Sequence, residues 1–392
     1  MKKIIFIANN NIGSTLSGGD RIFIEFLKNW QNKTEITVFA SQETITLIKK
    51  YQVKNIKIIP TDSIANTSNN PSLSELFKHT LRRTKIGIKT IKQNEYLIKQ
   101  ADYIYSVSDF YPDFFPAFIA KTINPKIIWI AGFYLFIPYP FSRINPYKGK
   151  LRVKGALYWL MQIPSYLIGR FKADIFFITS KPDISKFPNK KVIVIQGGVD
   201  TKPSEAFLKK NKLTEKKKYD AVFIGRFHPQ KGVLELIDIW KNVIKNKPNS
   251  KLIMIGNGSL EKQVKSKISK LKLKNNIKLI GFLDGPEKFK IFKQSKIVVH
   301  PAIYDSGGMA AAEAMAWGLP GVSFDLEALK TYYPKGMIKT KCFDLNKFSN
   351  NIISLLNDEN KYQKLSKDAR NLILEKWNWK RRCQTIYQQV FY

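Results

Sequence analysis

Residues 300–325 read HPAIYDSGGMAAAEAMAWGLPGVSFD, and residues 220–232 read DAVFIGRFHPQKG. Both stretches share one grammar. A short β-branched apolar run ends at glycine, proline and polar residues, and a helix-like segment follows. Short apolar strands alternating with helices produce a buried parallel sheet. Such a sheet binds ligands at the carboxyl ends of its strands. Arg226 and Lys231 fall at that place, on the turn after DAVFIG. A lysine in the first turn of a helix opposes the macrodipole. A bound diphosphate would account for both cations and use the helix N-terminus; the alternative is two solvated side chains. Ser306, Gly307 and Gly308 precede an alanine-rich helix, where exposed N–H groups can hold phosphate oxygens. Glu313 sits inside the apolar run 309–317, where an unpaired carboxylate costs roughly several kcal/mol. Either ribose hydroxyls or a neighbouring lysine or backbone group must satisfy it. Asp305 is placed to meet sugar hydroxyls or a forming cationic centre.

The same alternation extends outward in both directions. Strands are expected at KKIIFIA (2–8), EITVFA (35–40), NIKIIP (55–60), DYIYSV (102–107), KIIWIA (126–131), DIFFIT (174–179) and KVIVIQ (191–196). A second series follows at 220–225, 251–256, 276–281 and 296–301, with helices expected from about Asp20, Lys231, Ser259 and Gly308. From Leu345 the spacing is helical to the end. The stretches 9–19, 61–74 and 213–219 are polar and read as loops. Charge rises and apolar periodicity fades after Gly197-Gly198-Val199-Asp200, which places a domain boundary there. The expected division is 1–196, 197–376 and a C-terminal helix, 377–392, returning to the first domain.

With 392 residues, 44% of them hydrophobic, the chain can bury two cores. Its 66 Lys and Arg against 30 Asp and Glu give a formal charge of +36. That imbalance suits nucleic acid, an anionic membrane surface or phosphorylated ligands, unless it is only a solvated basic surface. The two cysteines, Cys342 and Cys383, form no CxxC pattern and suggest a reducing compartment. The apolar run at the start is too short for a signal peptide, and none reaches a membrane span. The expected location is cytoplasmic, with peripheral attachment to the inner face of the membrane.

GRFHPQKG and DSGGMAAAEAMAWGLP, in this order, together with SGGDR at 17–21 and GGVD at 197–200, resemble the retaining glycosyltransferases of family 4. That family, also described as glycosyl transferases group 1, carries a GR-x-x-x-x-KG loop and an E-x(7)-E segment continuing as EAM-x-x-G-x-P. The resemblance implies an α/β GT-B fold, two Rossmann-like doubly wound domains facing a central cleft. It implies that Arg226, Lys231 and Asp305 are catalytic, the two cations binding the donor diphosphate and stabilising the leaving group. Gly308 and Met309 would offer N–H groups to the phosphates, beside Gly225, Ser306 and Gly307, while Glu313 would hold the ribose. Phe282 and Leu283 would lie near the base, and Gly18 and Gly19 in a loop closing on the diphosphate. No D-x-D pair is present, so the cations replace a metal, and the co-substrate is a UDP- or GDP-sugar with no cofactor. The departing phosphate oxygen would take the acceptor's proton, as in a retaining reaction without a dedicated base.

The sequence departs from the family at three places. Asp305 stands where the family has Glu, and Ser306-Gly307-Gly308 replaces Gly-Phe-Gly. The stretch KIIWIAGFYLF (126–136) has no His where many relatives carry one; His79, His228 and His300 lie elsewhere, and His228 and His300 read as ordinary loop and strand-end residues. The acceptor is expected to be a glycan or lipid-linked molecule of cell-envelope polysaccharide or glycolipid synthesis. Residues 79–100 and 151–172 are basic and apolar by turns, which suits a membrane interface, a lipid-linked acceptor, or helices packed on the first sheet. Other readings are a nucleotide-sugar-binding protein without turnover, a nucleic-acid-binding protein with a Rossmann core, and a dehydrogenase. No nucleic-acid module is present, and IGNGSLEK (255–262) carries only part of a dinucleotide fingerprint.

Overall fold

A computed structural model describes residues 1–10, 17–62, 73–142, 145–149, 151–210 and 217–392. Much of the polar stretches read as loops (11–16, 63–72 and 211–216) lies outside the described residues. The chain divides into two compact units: Met1–Ser142, Lys148–Gly197 and Lys380–Tyr392 form the first, and Arg143–Tyr147 with Gly198–Trp379 the second.

In the first unit the elements run β1 (Lys2–Ala8), α1 (Gly18–Trp30), β2 (Thr34–Ser41), α2 (Gln42–Lys50), β3 (Lys57–Asp62), α3 (Leu73–Gln93) and α4 (Glu95–Gln100). They continue as β4 (Tyr103–Ser106), α5 (Tyr111–Ile123), β5 (Ile128–Phe133), α6 (Leu151–Lys172), β6 (Ile175–Ile178) and β7 (Lys191–Val194). The sheet is parallel, in the order β3-β2-β1-β4-β5-β6-β7. Its central strands are buried on both faces, so they read as unbroken apolar runs. Each such side chain contributes about 1.5–3 kcal/mol.

The expected single helix over 79–100 is two. Asn94 breaks it, and α3 turns its apolar side onto α5, with Ile91 fully buried in the core. The packing is close enough that a Cβ on Gly87 would come within 2.8 Å of Pro116.

The second unit runs α7 (Lys202–Lys210), β8 (Tyr219–Ile224), α8 (Val233–Asn246), β9 (Leu252–Ile255), α9 (Glu261–Lys270), β10 (Ile277–Leu279) and α10 (Pro286–Lys293). It continues with β11 (Ser295–His300), α11 (Met309–Met315), β12 (Gly321–Phe324), α12 (Glu327–Tyr332), β13 (Met337–Thr340), α13 (Leu345–Asn357) and α14 (Glu359–Lys376). Its sheet is also parallel, in the order β10-β9-β8-β11-β12-β13. β12 and β13, four residues each, are strands the periodicity did not announce. The tail is not one helix either: Asp358 caps α14, and α15 (Trp379–Phe391) starts after a break at Trp377. Beyond Lys380 that last helix packs in the first unit, where the Trp30 indole donates to the Cys383 carbonyl at 3.1 Å.

Candidate active site

The order of the second sheet reverses between β8 and β11, and the loops leaving those two strands carry the quoted motifs. A switch of this kind leaves a crevice at the strand ends. After β8 the chain passes Gly225 and Arg226, forms a short 3-10 turn over Pro229–Lys231, and enters α8 through Gly232. Gly232 has φ 61°, and a Cβ there would lie 1.9 Å from the Pro301 carbonyl oxygen, so no other residue fits. The helix therefore begins at Val233, and Lys231 lies before it rather than in its first turn. Lys231 thus escapes the first-turn penalty expected of it from the sequence.

What fixes Lys231 is Asp305. The ammonium meets Asp305 Oδ2 at 2.6 Å, and His300 Nε2 reaches the same oxygen at 3.0 Å. The other oxygen, Oδ1, accepts from the backbone amides of Ser306, Gly308 and Gly307 at 2.8, 3.3 and 3.4 Å. Burial opposes ionisation here, yet Lys231 and His300 outweigh it and hold the carboxyl well below its ordinary range. Asp305 thus faces its own chain on both oxygens. The sequence had it reaching for sugar hydroxyls; in this structure its acceptor capacity is taken up by Lys231, His300 and the three amides.

Gly308, at φ 64°, hands the chain into α11; a Cβ on it would stand 2.9 Å from Leu329. The buried Tyr333 hydroxyl donates to the Gly308 carbonyl at 2.7 Å. Burial, with Asp305 nearby, pushes that hydroxyl far above its ordinary range, so it stays a donor. Glu313 lies one turn into α11 and is not unpaired. Lys288, 5% exposed on α10, donates to its Oε2 at 2.7 Å and to Asp284 Oδ1 at 2.9 Å. Burial works against the Lys288 charge, but the two carboxylates override it and raise its pKa. The requirement read from the sequence, that something must satisfy Glu313, is met by a lysine 25 residues away in the chain. Its second oxygen, Oε1, has no hydrogen bond among the described residues.

The remaining candidates are spread more widely. The Arg226 side chain is exposed and makes no ion pair among the described residues. Phe282, after β10, is 47% exposed, with Leu283 beside it half-buried. Met309 opens α11. Gly18 and Gly19 belong to the first unit, at the start of α1, behind a Ser17–Asp20 capping box. The structure therefore brings Lys231, Asp305, Ser306, Gly307 and Gly308 into one hydrogen-bonded cluster and Glu313 into a second with Lys288. His300, Lys288, Asp284 and Tyr333 were not singled out by the sequence. His300 does more than end a strand, and its spacing of five from Asp305 was the available signal. Among the described residues no group of three or more His, Cys, Asp or Glu could hold a metal ion.

Residues 204–372 match the family model of glycosyl transferases group 1. That segment holds every second-unit candidate. Over 156 residues the chain is 30% identical to poly(glycerol-phosphate) alpha-glucosyltransferase of Bacillus subtilis, covering 39% of this chain and 23% of that one. Over 209 residues it is 27% identical to the UDP-Gal:alpha-D-GlcNAc-diphosphoundecaprenol alpha-1,3-galactosyltransferase of Escherichia coli, covering 50% and 53%. The chain thus spans about a quarter to a half of the length of these curated relatives. A crystal structure of Anabaena HepE in complex with UDP and glucose superposes with a TM-score of 0.71, at 15% identity, over 100% of this chain and 99% of that one. The fold is therefore the α/β GT-B architecture of two Rossmann-like units.

Proposed function

We propose that the chain is a glycosyltransferase that takes its sugar from a nucleoside diphosphate, with the donor bound in the second unit at the ends of β8, β10 and β11. The observation that carries this reading is the Lys231–Asp305 pair set against the amides of 306–308. It is a preorganised anion cradle at the switch point of a parallel sheet. A donor diphosphate would draw Lys231 and Arg226 to itself and compete with Asp305 for the amides of Ser306, Gly307, Gly308 and Met309. Glu313, oriented by Lys288, keeps Oε1 for a ribose hydroxyl. Phe282 and Leu283 would flank the base beside Gly225.

The reaction would retain configuration and need no metal. As the glycosidic bond to the phosphate breaks, charge grows on the leaving oxygen, where Lys231 and Arg226 stabilise it. That oxygen takes the acceptor's proton as the new bond forms on the same face. The named relatives act on a poly(glycerol-phosphate) and a diphosphoundecaprenol-linked sugar. A phosphate-bearing glycan or lipid acceptor of cell-envelope polysaccharide synthesis, at the inner membrane face, fits the +36 charge.

Calorimetric titration with UDP, GDP, ADP and NAD tests this. Binding of one nucleoside diphosphate, weakened in Glu313→Ala, supports the assignment; binding of none overturns it. The engagement of both Asp305 oxygens favours a second reading, a donor-binding protein that does not turn over. Hydrolysis assays across a panel of sugar nucleotides separate the two, since only the transferase releases free sugar.

A further inference from the structure

The helix α6 is dressed on two sides in different ways. At 100° per residue, Val153, Leu160, Leu167 and Phe171 fall within about 40° of one another. These side chains are 65%, 55%, 47% and 80% exposed. The opposite side carries small or polar residues: Gly155, Ser165 and Gly169 are buried, and Gln162 is pinned. The Gln162 amide donates to Asp109 Oδ2 at 2.6 Å and to the Leu135 carbonyl at 3.0 Å, and accepts from the Ile137 amide at 2.9 Å. A Cβ on Gly169 would already touch Phe176 and Phe114 at 3.4–3.5 Å. The rotation of α6 about its axis is therefore fixed, and the apolar stripe is fixed outward.

The stripe is continued and framed. Tyr139 and Phe141, 55% and 70% exposed, lie beside it, with Tyr139 5.5 Å from Trp159. Arg152 and Arg170 flank the stripe on one side and Lys154 and Lys172 on the other, at both ends of the helix. α6 contains no Asp or Glu. Exposed large apolar side chains rimmed by long cations, with no acid among them, match a headgroup layer. They mismatch a second copy of themselves, which would set cation against cation. No helix among the described residues is long and apolar enough to cross a membrane, and the pinned Gln162 keeps α6 on the surface of its own unit.

We infer that α6, with Tyr139 and Phe141, is a membrane-docking surface that lies in the plane of an anionic bilayer. α3, the other basic segment, packs against α5 and leaves Phe77 and Leu81 43% and 38% exposed, less than any residue of the α6 stripe. The inference deepens the lipid-facing acceptor reading above and rests on it only for its biological purpose. By Asp109 and the 133–137 loop, docking holds the carboxyl edge of β4 and β5 to the membrane on which a lipid-linked acceptor would sit.

Flotation with vesicles of equal parts phosphatidylglycerol and phosphatidylcholine is the test. The full chain should float at low salt, and Leu160→Glu/Leu167→Glu/Phe171→Glu should partition at least about tenfold less. Arg170→Gln/Lys172→Gln should lose the salt-sensitive part of binding. If the triple variant does not fold, Phe171→Ser replaces it, at the most exposed position of the stripe. A full chain that stays at the bottom, or a folded triple variant that floats like it, overturns the surface. So does a full chain that fails to float but elutes as a dimer which the triple variant splits. UDP titration on the same preparations separates the readings. A chain that binds UDP but not vesicles loses only this surface, whereas one that floats but binds no nucleotide loses only the donor site.

Discussion

The carboxyl edges of the two sheets treat buried acids in opposite ways. In the second unit Asp305 is met by a lysine, a histidine and three amides, and stays ionised well below its ordinary range. In the first unit Asp109 and Asp113 are buried with neutral partners. Asp109 has Gln162; Asp113 has the Ser108 hydroxyl at 2.5 Å and the amides of Asn9 and Asn10 at 2.6 and 3.0 Å. Burial therefore pushes Asp109 up to about 6 and Asp113 up to about 7. The buried cation of the first unit, Arg83, is used structurally, against Glu43, Asp62 and the Asn9 carbonyl. Charged partners hold Asp305 ionised, whereas the neutral donors around Asp109 and Asp113 leave burial to dominate. GRFHPQKG and DSGGMAAAEAMAWGLP fall on the edge that holds Asp305; no motif singled out in the sequence falls on Asp109 or Asp113.

The largest expected effect tests the structural half of this contrast. Arg83→Met takes the buried guanidinium from Glu43 and leaves Asp62 to Arg82, and should destabilise the first unit by about 3–5 kcal/mol. Chemical denaturation followed by tryptophan fluorescence measures it; a loss well under 1 kcal/mol would show Arg83 to be dispensable. Next in size, Lys231→Ala should lower sugar transfer or donor hydrolysis by a factor on the order of 10²–10³ while leaving the melting of the first unit unchanged. Steady-state kinetics on purified protein decide it, and a rate within twofold of the parent would remove Lys231 from the proposed donor site.

The pH responses should also run in opposite directions. Asp113, raised in the folded state, contributes stability below about pH 4 that is lost as pH rises through about 7, at up to about 1.4 kcal/mol per pH unit. Asp305, depressed in the folded state, contributes stability above its ordinary pKa that is lost only as pH falls below it. Denaturation midpoints across pH should flatten between about 4 and 7 in Asp113→Asn and below about 4 in Asp305→Asn. Equal slopes in parent and variants would erase the distinction. The smallest effect concerns Gly308→Ala, where a left-handed backbone and the nearby Leu329 should cost about 1–2 kcal/mol. A thermal melt of the second unit reads it, and an unshifted midpoint would mean the turn relaxes freely.

The strand positions, the two-unit organisation and the glycine turns were legible because each rests on local signals. Apolar runs buried on both faces announce parallel strands, and glycines announce the turns at 232 and 308. β12 and β13 escaped notice since neither presents an unbroken apolar run: GVSF follows directly on a glycine-proline turn and carries a serine, and MIKT carries a lysine. Glu313 was read as needing a partner, which was sound. That the partner is Lys288 was not readable, because the pair spans two helices and meets only when α10 and α11 pack. α3 and α6 looked alike as basic amphipathic segments, and the sequence left open whether either packs on the sheet.

By itself, then, the sequence determined where strands end and which polar residues stand at those ends, since periodicity and turn chemistry act over a few residues. Only the tertiary structure decided what those residues touch. Packing α5 against α3 turned one apolar face inward, and Gln162 turned that of α6 outward. Folding β8 beside β11 gave Lys231 an aspartate in place of a solvent shell. Each of these is set by the approach of groups far apart in the chain, where burial makes a charge expensive and a partner obligatory.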